Sequence, residues 1–163
     1  MNKKSVLHLE SDDDVIEKII DALQAGPGRK MDLAFALYVL GWRLEGESAI
    51  SPTGSCWDNA GKHELGWLEY YSTSMSAIAP AVFETDRFYS VKIQKSTLES
   101  TGYYAVVKSM RHCIPQTPML FQILSGRHAK GMSYDNTAAA ALCKASLMCV
   151  IDEREKFGKD HAG

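Results

Sequence analysis

The sequence predicts one α+β domain, a layered sandwich in which N-terminal helices and a C-terminal helix pack against a small antiparallel sheet of three or four strands. Three observations predict this class: helical periodicity in the first 40 residues, period-two alternation between residues 88 and 108, and an alanine-rich segment after residue 137. The chain has 163 residues, 45% of them hydrophobic, which is enough to bury one core and too little for two. We therefore expect residues 1–163 to form a single domain.

Two helices are predicted before residue 41. Asp14 is a good N-cap, and Glu17 three residues later completes a capping box, so the first helix is expected to begin there. Gly26 is expected to end it, because glycine adopts the left-handed conformation at a helix C-terminus at least cost and Pro27 cannot continue the helix. A second helix, apolar on nearly all sides and largely buried, is predicted from about residue 30 to residue 40.

The middle of the chain has no sustained period. Glycines interrupt residues 41–70, so we expect an ordered loop region anchored by Trp42, Trp57 and Trp67. A short helix is predicted from about residue 74 to residue 79, because Pro80 is expected to limit it.

The clearest strand signals follow. Apolar and polar residues alternate in residues 88–94 and 103–108, which predicts two half-exposed strands paired as a hairpin. A third strand is predicted at residues 119–124 and a fourth, short one before Asp135. The last helix is expected to begin at Asn136 or Thr137, and its small side chains indicate that it lies directly across the sheet.

The ends of the chain and the cysteines limit its class further. Residues 1–10 and 153–163 lack a sustained apolar pattern and are expected to be flexible. No apolar run approaches the roughly 18 residues that a membrane span needs, and no secretory signal is found, so we expect a cytoplasmic protein. No two cysteines form a Cys-x-x-Cys pair, which in a cytoplasm predicts buried thiols. They are Cys56, Cys113, Cys143 and Cys149.

Four landmarks along the chain resemble those of the phage ABA-sandwich group of small phage and prophage proteins. They are Gly26-Pro27-Gly28-Arg29-Lys30-Met31-Asp32, Leu40-Gly41-Trp42-Arg43 with Trp57, Tyr71-Ser72-Thr73-Ser74-Met75, and Thr137-Ala138-Ala139-Ala140-Ala141-Leu142-Cys143. Gly28 and Ala139 stand where the group usually has Ser and Pro, and residues 109–134 form a longer segment than expected, a candidate insertion. The resemblance implies a phage accessory protein in the bacterial host cytoplasm, with no established catalytic residues.

Charge is distributed unevenly along the chain. Residues 1–86 hold fourteen acidic and seven basic side chains, whereas residues 87–130 hold seven basic side chains and Glu99 as their one acid. The candidate binding residues within or beside the predicted strands are Lys92, Lys95, Tyr103, Tyr104, Lys108, Arg111, Arg127 and Lys130. Such cations and aromatic rings suit an anionic ligand: a nucleotide signal, RNA or DNA, or an acidic face of a host protein. The alternative is a solvated sheet face whose charge is balanced by the acidic N-terminal half.

No catalytic or metal-binding pattern accompanies these residues. A helix, not a strand, precedes Gly26-Pro27-Gly28-Arg29-Lys30, so this stretch is a turn rather than a phosphate loop. The five histidines are scattered without the spacing of a metal site, and neither a metal nor a cofactor is expected.

Three functions follow from these expectations. The first is a non-enzymatic protein that binds and inhibits a bacterial host protein or ribonucleoprotein complex, such as a component of an immune system. The second is a sponge that sequesters an anionic nucleotide messenger, and the third is a small hydrolase that uses the histidines. The oligomeric state, including a homodimer, stays open.

Overall fold

Four helices and two three-stranded antiparallel sheets form the described part of the chain, and they confirm the predicted α+β class. The structure is a computed structural model that describes residues 10–54, 56–58, 68–96, 102–110 and 128–157. The elements are α1 (Asp12–Ala25), α2 (Arg29–Tyr38), β1 (Arg43–Glu45), β2 (Ser48–Ile50), β3 (Cys56–Asp58), α3 (Met75–Phe83), β4 (Phe88–Ser96), β5 (Gly102–Met110), β6 (His128–Asp135) and α4 (Ala138–Phe157).

The larger sheet has the strand order β4-β5-β6. β4 and β5 pair antiparallel as the predicted hairpin, and β6 pairs antiparallel with the other side of β5. β6 lies where the fourth strand is predicted, but it is eight residues long rather than short and it includes Asp135. The strand predicted at residues 119–124 lies outside the described residues. Among the described strands, β5 lies at the centre of the sheet, with β4 on one side and β6 on the other.

α4 lies directly against this sheet, as its small side chains predict. It begins after Thr137, whose side-chain hydroxyl oxygen accepts a hydrogen bond from the backbone amide of Ala140 at 3.1 Å. A Cβ placed on Gly131 of β6 would lie 1.8 Å from the carbonyl oxygen of Ala145 and 2.4 Å from the amide nitrogen of Cys149. Only a glycine therefore allows the two backbones to approach this closely.

The first two helices follow the prediction except at the start of α1. Ser11, not Asp14, is the N-cap, since the Ser11 hydroxyl oxygen accepts from the Asp14 amide at 3.2 Å. The first turn holds acidic residues at positions 12–14, and negative charge is favourable at a helix N-terminus. Asp14 therefore suits the first turn as well as it would suit the cap position. Gly26 ends α1 with a φ of 81°.

Two further predictions are wrong in detail. The expected loop region contains the smaller sheet, in the order β1-β2-β3, and each of its strands is only three residues long. α3 continues through Pro80 to Phe83, because Ile78 and Val82 on either side of the proline are buried and their packing outweighs the one lost amide donor. Trp42 and Trp57 are buried in this region as expected, and Trp67 lies outside the described residues.

The core joins α1, α2 and the inner side of the larger sheet to α4. Its largest fully buried side chains include Phe35, Ile19 and Leu142. α4 continues to Phe157, past the point where the apolar pattern of the sequence fades. Within the described ranges, no helix is long and apolar enough to cross a membrane.

Candidate functional site: the basic outer face of the larger sheet

The larger sheet has one face turned away from α4, here called the basic outer face. Three rows of cross-strand neighbours form it. They are Ser90, Lys108 and Lys130; Lys92, Val106 and Met132; and Gln94, Tyr104 and Tyr134. The residues that alternate with them, such as Ala105, Val107 and Ala129, are fully buried on the α4 side.

Three lysines, one from each strand, lie on this face. Lys108 lies directly opposite Lys130, and Lys92 is one row further along. None of the three ammonium groups has an ion-pair or hydrogen-bond partner within the part of the chain that the structure describes. The described residues of the face include no acid, so no described side chain on it compensates its positive charge.

Like charges placed directly opposite each other on a sheet destabilise it. The carboxylate of Asp152 lies at the sheet edge, where it accepts from the backbone amide of Lys130 and pairs with Lys156. This carboxylate is on α4 and leaves the ammonium groups of Lys108 and Lys130 unpaired. The arrangement therefore lowers stability and concentrates positive charge.

An aromatic pair lies at the other end of the face. The rings of Tyr104 and Tyr134 are 4.7 Å apart between centroids and tilted by 37°. Tyr134 is 65% exposed, and Met132 in the next row is 41% exposed. The face thus offers an open ring surface and an apolar side chain beside its cations.

The structure divides the residues proposed from the sequence. It brings Lys92, Tyr104, Lys108 and Lys130 together on the outer face. Lys95 and Tyr103 are paired with each other on the opposite face, where Tyr103 packs against the core and Lys95 is exposed at the end of the strand. Arg111 and Arg127 lie outside the described residues.

A second polar cluster lies in the interior and includes residues that the sequence analysis did not select. The carboxylate of Asp32, on α2, is 0% exposed. It accepts from the amide and the hydroxyl of Ser72, both at 2.7 Å, and from the Arg29 guanidinium at 3.1 Å. The Ser72 hydroxyl oxygen in turn accepts from the Gly28 amide at 2.9 Å. We call these four residues the Asp32 cluster.

Arg29 extends the Asp32 cluster to the neighbouring loop. Its guanidinium donates to the carbonyl oxygens of Leu68 at 2.6 Å and Glu69 at 3.2 Å, and lies 4.2 Å from the ring centroid of Tyr70. Two sequence landmarks, one around Gly28 and one around Ser72, therefore meet at a single buried carboxylate. Since both carboxylate oxygens accept hydrogen bonds inside the fold, we interpret the cluster as scaffold.

The buried cysteines are unsuited to nucleophilic chemistry. Burial raises the pKa of the Cys149 thiol to about 11, and this thiol donates to the Ser109 hydroxyl at 3.3 Å. Burial, and next the charge of Asp32, raise the pKa of Cys143 well above its ordinary value. Both remain thiols at neutral pH, whereas the nucleophile is the thiolate. Cys56 is a partly exposed free cysteine, and Cys113 lies outside the described residues.

A surface cleft lies away from the basic outer face. Its volume is about 320 Å³, and its lining residues are Glu69, Tyr70, Ser74, Ser76, Ala77 and Pro80. This lining contains a carboxylate and neither lysine nor arginine, so it lacks the basic edge expected of a nucleotide sponge. Among the described residues, no group of three or more potential metal ligands is found.

Comparison with known proteins gives one structural likeness. No protein-family model matches the chain, and no curated protein matches it. The chain is similar to the crystal structure of a phage protein from Bacillus cereus ATCC 14579, with 18% sequence identity over 74% of this chain and 84% of that chain, and a TM-score of 0.46. The resemblance to the phage ABA-sandwich group stays a prediction from the sequence landmarks.

Proposed function

We propose that this protein is a non-enzymatic phage or prophage accessory protein that binds an anionic component of the bacterial host through its basic outer face and thereby blocks it. The observation that carries the proposal is the juxtaposition of Lys92, Lys108 and Lys130 on one open sheet face without a described acid. A partner that neutralises these charges would remove their mutual repulsion, which the free protein bears.

The ion pairs formed by other lysines and arginines of the chain support this proposal. Seven of the twelve described lysines and arginines are paired with a carboxylate. Four of the remaining five lie on the strands of the larger sheet, and three of those share the outer face. Acids are thus available to balance cations in this chain but are absent from the described part of this face. Such a concentration of one sign attracts oppositely charged partners.

The inhibitory role has a different support. It rests on the sequence landmarks that resemble the phage ABA-sandwich group, because small phage accessory proteins often act by stoichiometric binding. A component of a bacterial immune system is the host target that this role favours. The expected location is the bacterial cytoplasm.

The proposal is tested by capture of host partners with matched charge variants. Immobilised wild-type protein, a Lys108→Glu/Lys130→Glu variant and a Lys18→Glu/Lys30→Glu control are exposed to bacterial lysate, and retained components are identified by mass spectrometry. The control makes the same change in net charge on α1 and α2, away from the outer face. Circular dichroism first establishes that both variants are folded.

The expected result is a component that the wild type and the control retain and the outer-face variant loses, and that saturates at a fixed stoichiometry when purified and titrated. Equal retention by the outer-face variant would contradict the proposal. Turnover of the purified component by the protein would contradict its non-enzymatic part.

A further inference from the structure

We infer that the basic outer face binds single-stranded nucleic acid, with phosphates at the lysine end and a base stacked at the tyrosine end. This inference rests on the proposed function. The face combines the two features that such binding uses, namely cations for the backbone and an exposed aromatic ring for a base. Both features belong to one continuous surface on β4, β5 and β6.

The distance between these two ends favours an oligomer over a mononucleotide. Tyr104 and Lys108 are four residues apart on β5. At about 3.3 Å per residue, the tyrosine row and the row of Lys108 and Lys130 are about 13 Å apart. A stacked strand that advances about 3.4 Å per nucleotide covers this distance with about four nucleotides. A single nucleotide stacked at the tyrosine row would extend to Lys92 in the middle row but not also to Lys108 and Lys130.

The exposed ring favours a single strand over a duplex. The ring of Tyr104 contacts the ring of Tyr134, which is nevertheless 65% exposed. A base can stack on such a ring only if its own face is free, and bases inside a duplex are stacked on each other. A single strand supplies free base faces in any sequence, so we expect little sequence preference.

The type of cation favours nucleic acid over an acidic protein. Among the described residues, the three cations on the face that lack a partner are all lysines. Lysine is depleted at protein interfaces, where arginine is enriched, because its ammonium group is strongly hydrated and flexible. Phosphate backbones, in contrast, are bound by lysine readily and without full loss of its hydration.

Fluorescence anisotropy with labelled oligonucleotides tests the inference. Single-stranded DNA and RNA of about 12 nucleotides are titrated with the wild type at salt concentrations from about 50 to about 200 mM. Shorter oligonucleotides, a duplex of the same sequence and a cyclic nucleotide serve as unlabelled competitors, and labelled polyglutamate is titrated directly in a separate experiment. The variants are Lys108→Ala/Lys130→Ala, Tyr134→Leu and Tyr134→Phe, with Lys18→Ala/Lys30→Ala as the matched control.

The lysine variants are expected to change the salt dependence. The slope of log affinity against log salt should lose about 1.4 in magnitude in Lys108→Ala/Lys130→Ala, which is about 0.7 for each lost phosphate contact on a single strand. The control should keep the wild-type slope. Equal slopes for the wild type and Lys108→Ala/Lys130→Ala would overturn the inference.

The tyrosine variants separate stacking from charge. Tyr134→Leu should bind about 5- to 150-fold more weakly at every salt concentration, with an unchanged slope. Tyr134→Phe should retain the wild-type affinity, because it keeps the ring. Equal affinity of Tyr134→Leu and the wild type would overturn the stacking role and with it the single-strand assignment.

The competitors and polyglutamate distinguish failure of this inference from failure of the proposed function. Competition by the duplex or the cyclic nucleotide as strong as that by the single strand overturns the inference. If oligonucleotides do not bind but polyglutamate binds in a manner that depends on Lys108 and Lys130, the inference fails and the anionic partner survives as an acidic protein. If no polyanion binds through these lysines, both fail.

Discussion

The interior of this protein and the basic outer face handle polar groups in opposite ways. In the Asp32 cluster, a fully buried carboxylate accepts three hydrogen bonds from Ser72 and Arg29. On the outer face, Lys108 and Lys130 lie opposite each other with no described acid beside them. Since buried polar groups that lack partners cost stability, the first arrangement serves the fold. The second opposes the fold slightly, and binding is the role that we propose for it.

The same contrast separates the two faces of a single strand. On β6, Gly131 faces α4 with no room for one added carbon atom, whereas Lys130 and Met132 on either side of it are exposed. Packing therefore restricts every second residue of β6 closely and leaves the alternate residues free for other roles. Four substitutions or changes of condition test this contrast, from the largest expected effect to the smallest.

Loss of the buried carboxylate should have the largest effect. Asp32→Ala removes the carboxylate that pairs with Arg29 and that accepts from both donors of Ser72, and we expect the free energy of unfolding to fall by about 3–5 kcal/mol. Urea denaturation followed by circular dichroism measures it. Asp21→Ala, which removes an exposed carboxylate from α1, is the matched control and should stay within about 0.5 kcal/mol of the wild type. Comparable losses in both variants would contradict the role of the Asp32 cluster.

Addition of one carbon atom beneath α4 should be nearly as damaging. In Gly131→Ala, the new Cβ would meet backbone atoms of Ala145 and Cys149, so α4 must shift away from the sheet. We expect a loss of about 3 kcal/mol in unfolding free energy, at the upper end of the usual cost of overpacking. Thermal unfolding measures it, and Met132→Ala on the outer side of the same strand is the control. A Gly131→Ala variant as stable as the control would contradict the close contact.

Alkaline pH should lower the free energy of unfolding through deprotonation of the Cys149 thiol. Its pKa is raised from an ordinary 9.0 to about 11 in the folded protein, chiefly by burial. The thiol therefore loses its proton at a lower pH in the unfolded chain than in the folded protein. Its contribution to the free energy of unfolding is complete below about pH 9 and falls by about 2–3 kcal/mol as pH rises to about 11. Urea denaturation at several pH values measures the slope. Cys149→Ala should show a shallower decline than the wild type, and parallel declines would contradict this assignment.

Relief of repulsion on the outer face should have the smallest effect on stability and the opposite sign. Lys130→Glu replaces a like-charge pair opposite Lys108 with an attractive one, so unfolding free energy should rise by about 0.5 kcal/mol. At about 1 M salt, where the Debye length is about 3 Å, the gain should shrink. A salt-independent change, or a loss of stability, would contradict the repulsion between the two lysines.

Local sequence signals predicted most of the elements but not all of their limits. Gly26 determines the end of α1, and the period-two pattern of residues 88–94 determines β4. Both effects depend on local geometry, which can be inferred directly from the sequence. The strands β1, β2 and β3 were missed because three residues are too few for an alternating pattern. α3 extends through Pro80 because the buried side chains of Ile78 and Val82 stabilise it, and that burial depends on the tertiary fold.

The candidate site was predictable only in part for a related reason. Alternation within β4 and β5 separates Lys92 from Lys95 and Tyr104 from Tyr103, but the register between β5 and β6 depends on pairing across residues that are distant in sequence. The position of Lys130 opposite Lys108 was therefore not visible. Tyr134 was not selected, although the alternation of Lys130, Met132 and Tyr134 with small residues was a signal for it.

The Asp32 cluster was missed because its partners are tertiary. Asp32 and Ser72 are forty residues apart, and their contact exists only in the folded chain. A signal was nevertheless present, since Asp32 is a carboxylate within a helix that is apolar on nearly all sides. A charged residue at such a position is rarely buried without a partner.

The most direct test of the central claim is an NMR titration of the isotope-labelled protein with a single-stranded oligonucleotide of about 12 nucleotides. Binding at the basic outer face predicts that the largest amide shift changes fall in residues 90–94, 104–108 and 130–134, while the amides of α1 and α2 keep their positions. Changes centred on the helices, or an unchanged spectrum at saturating oligonucleotide, would contradict the claim that this face binds single-stranded nucleic acid.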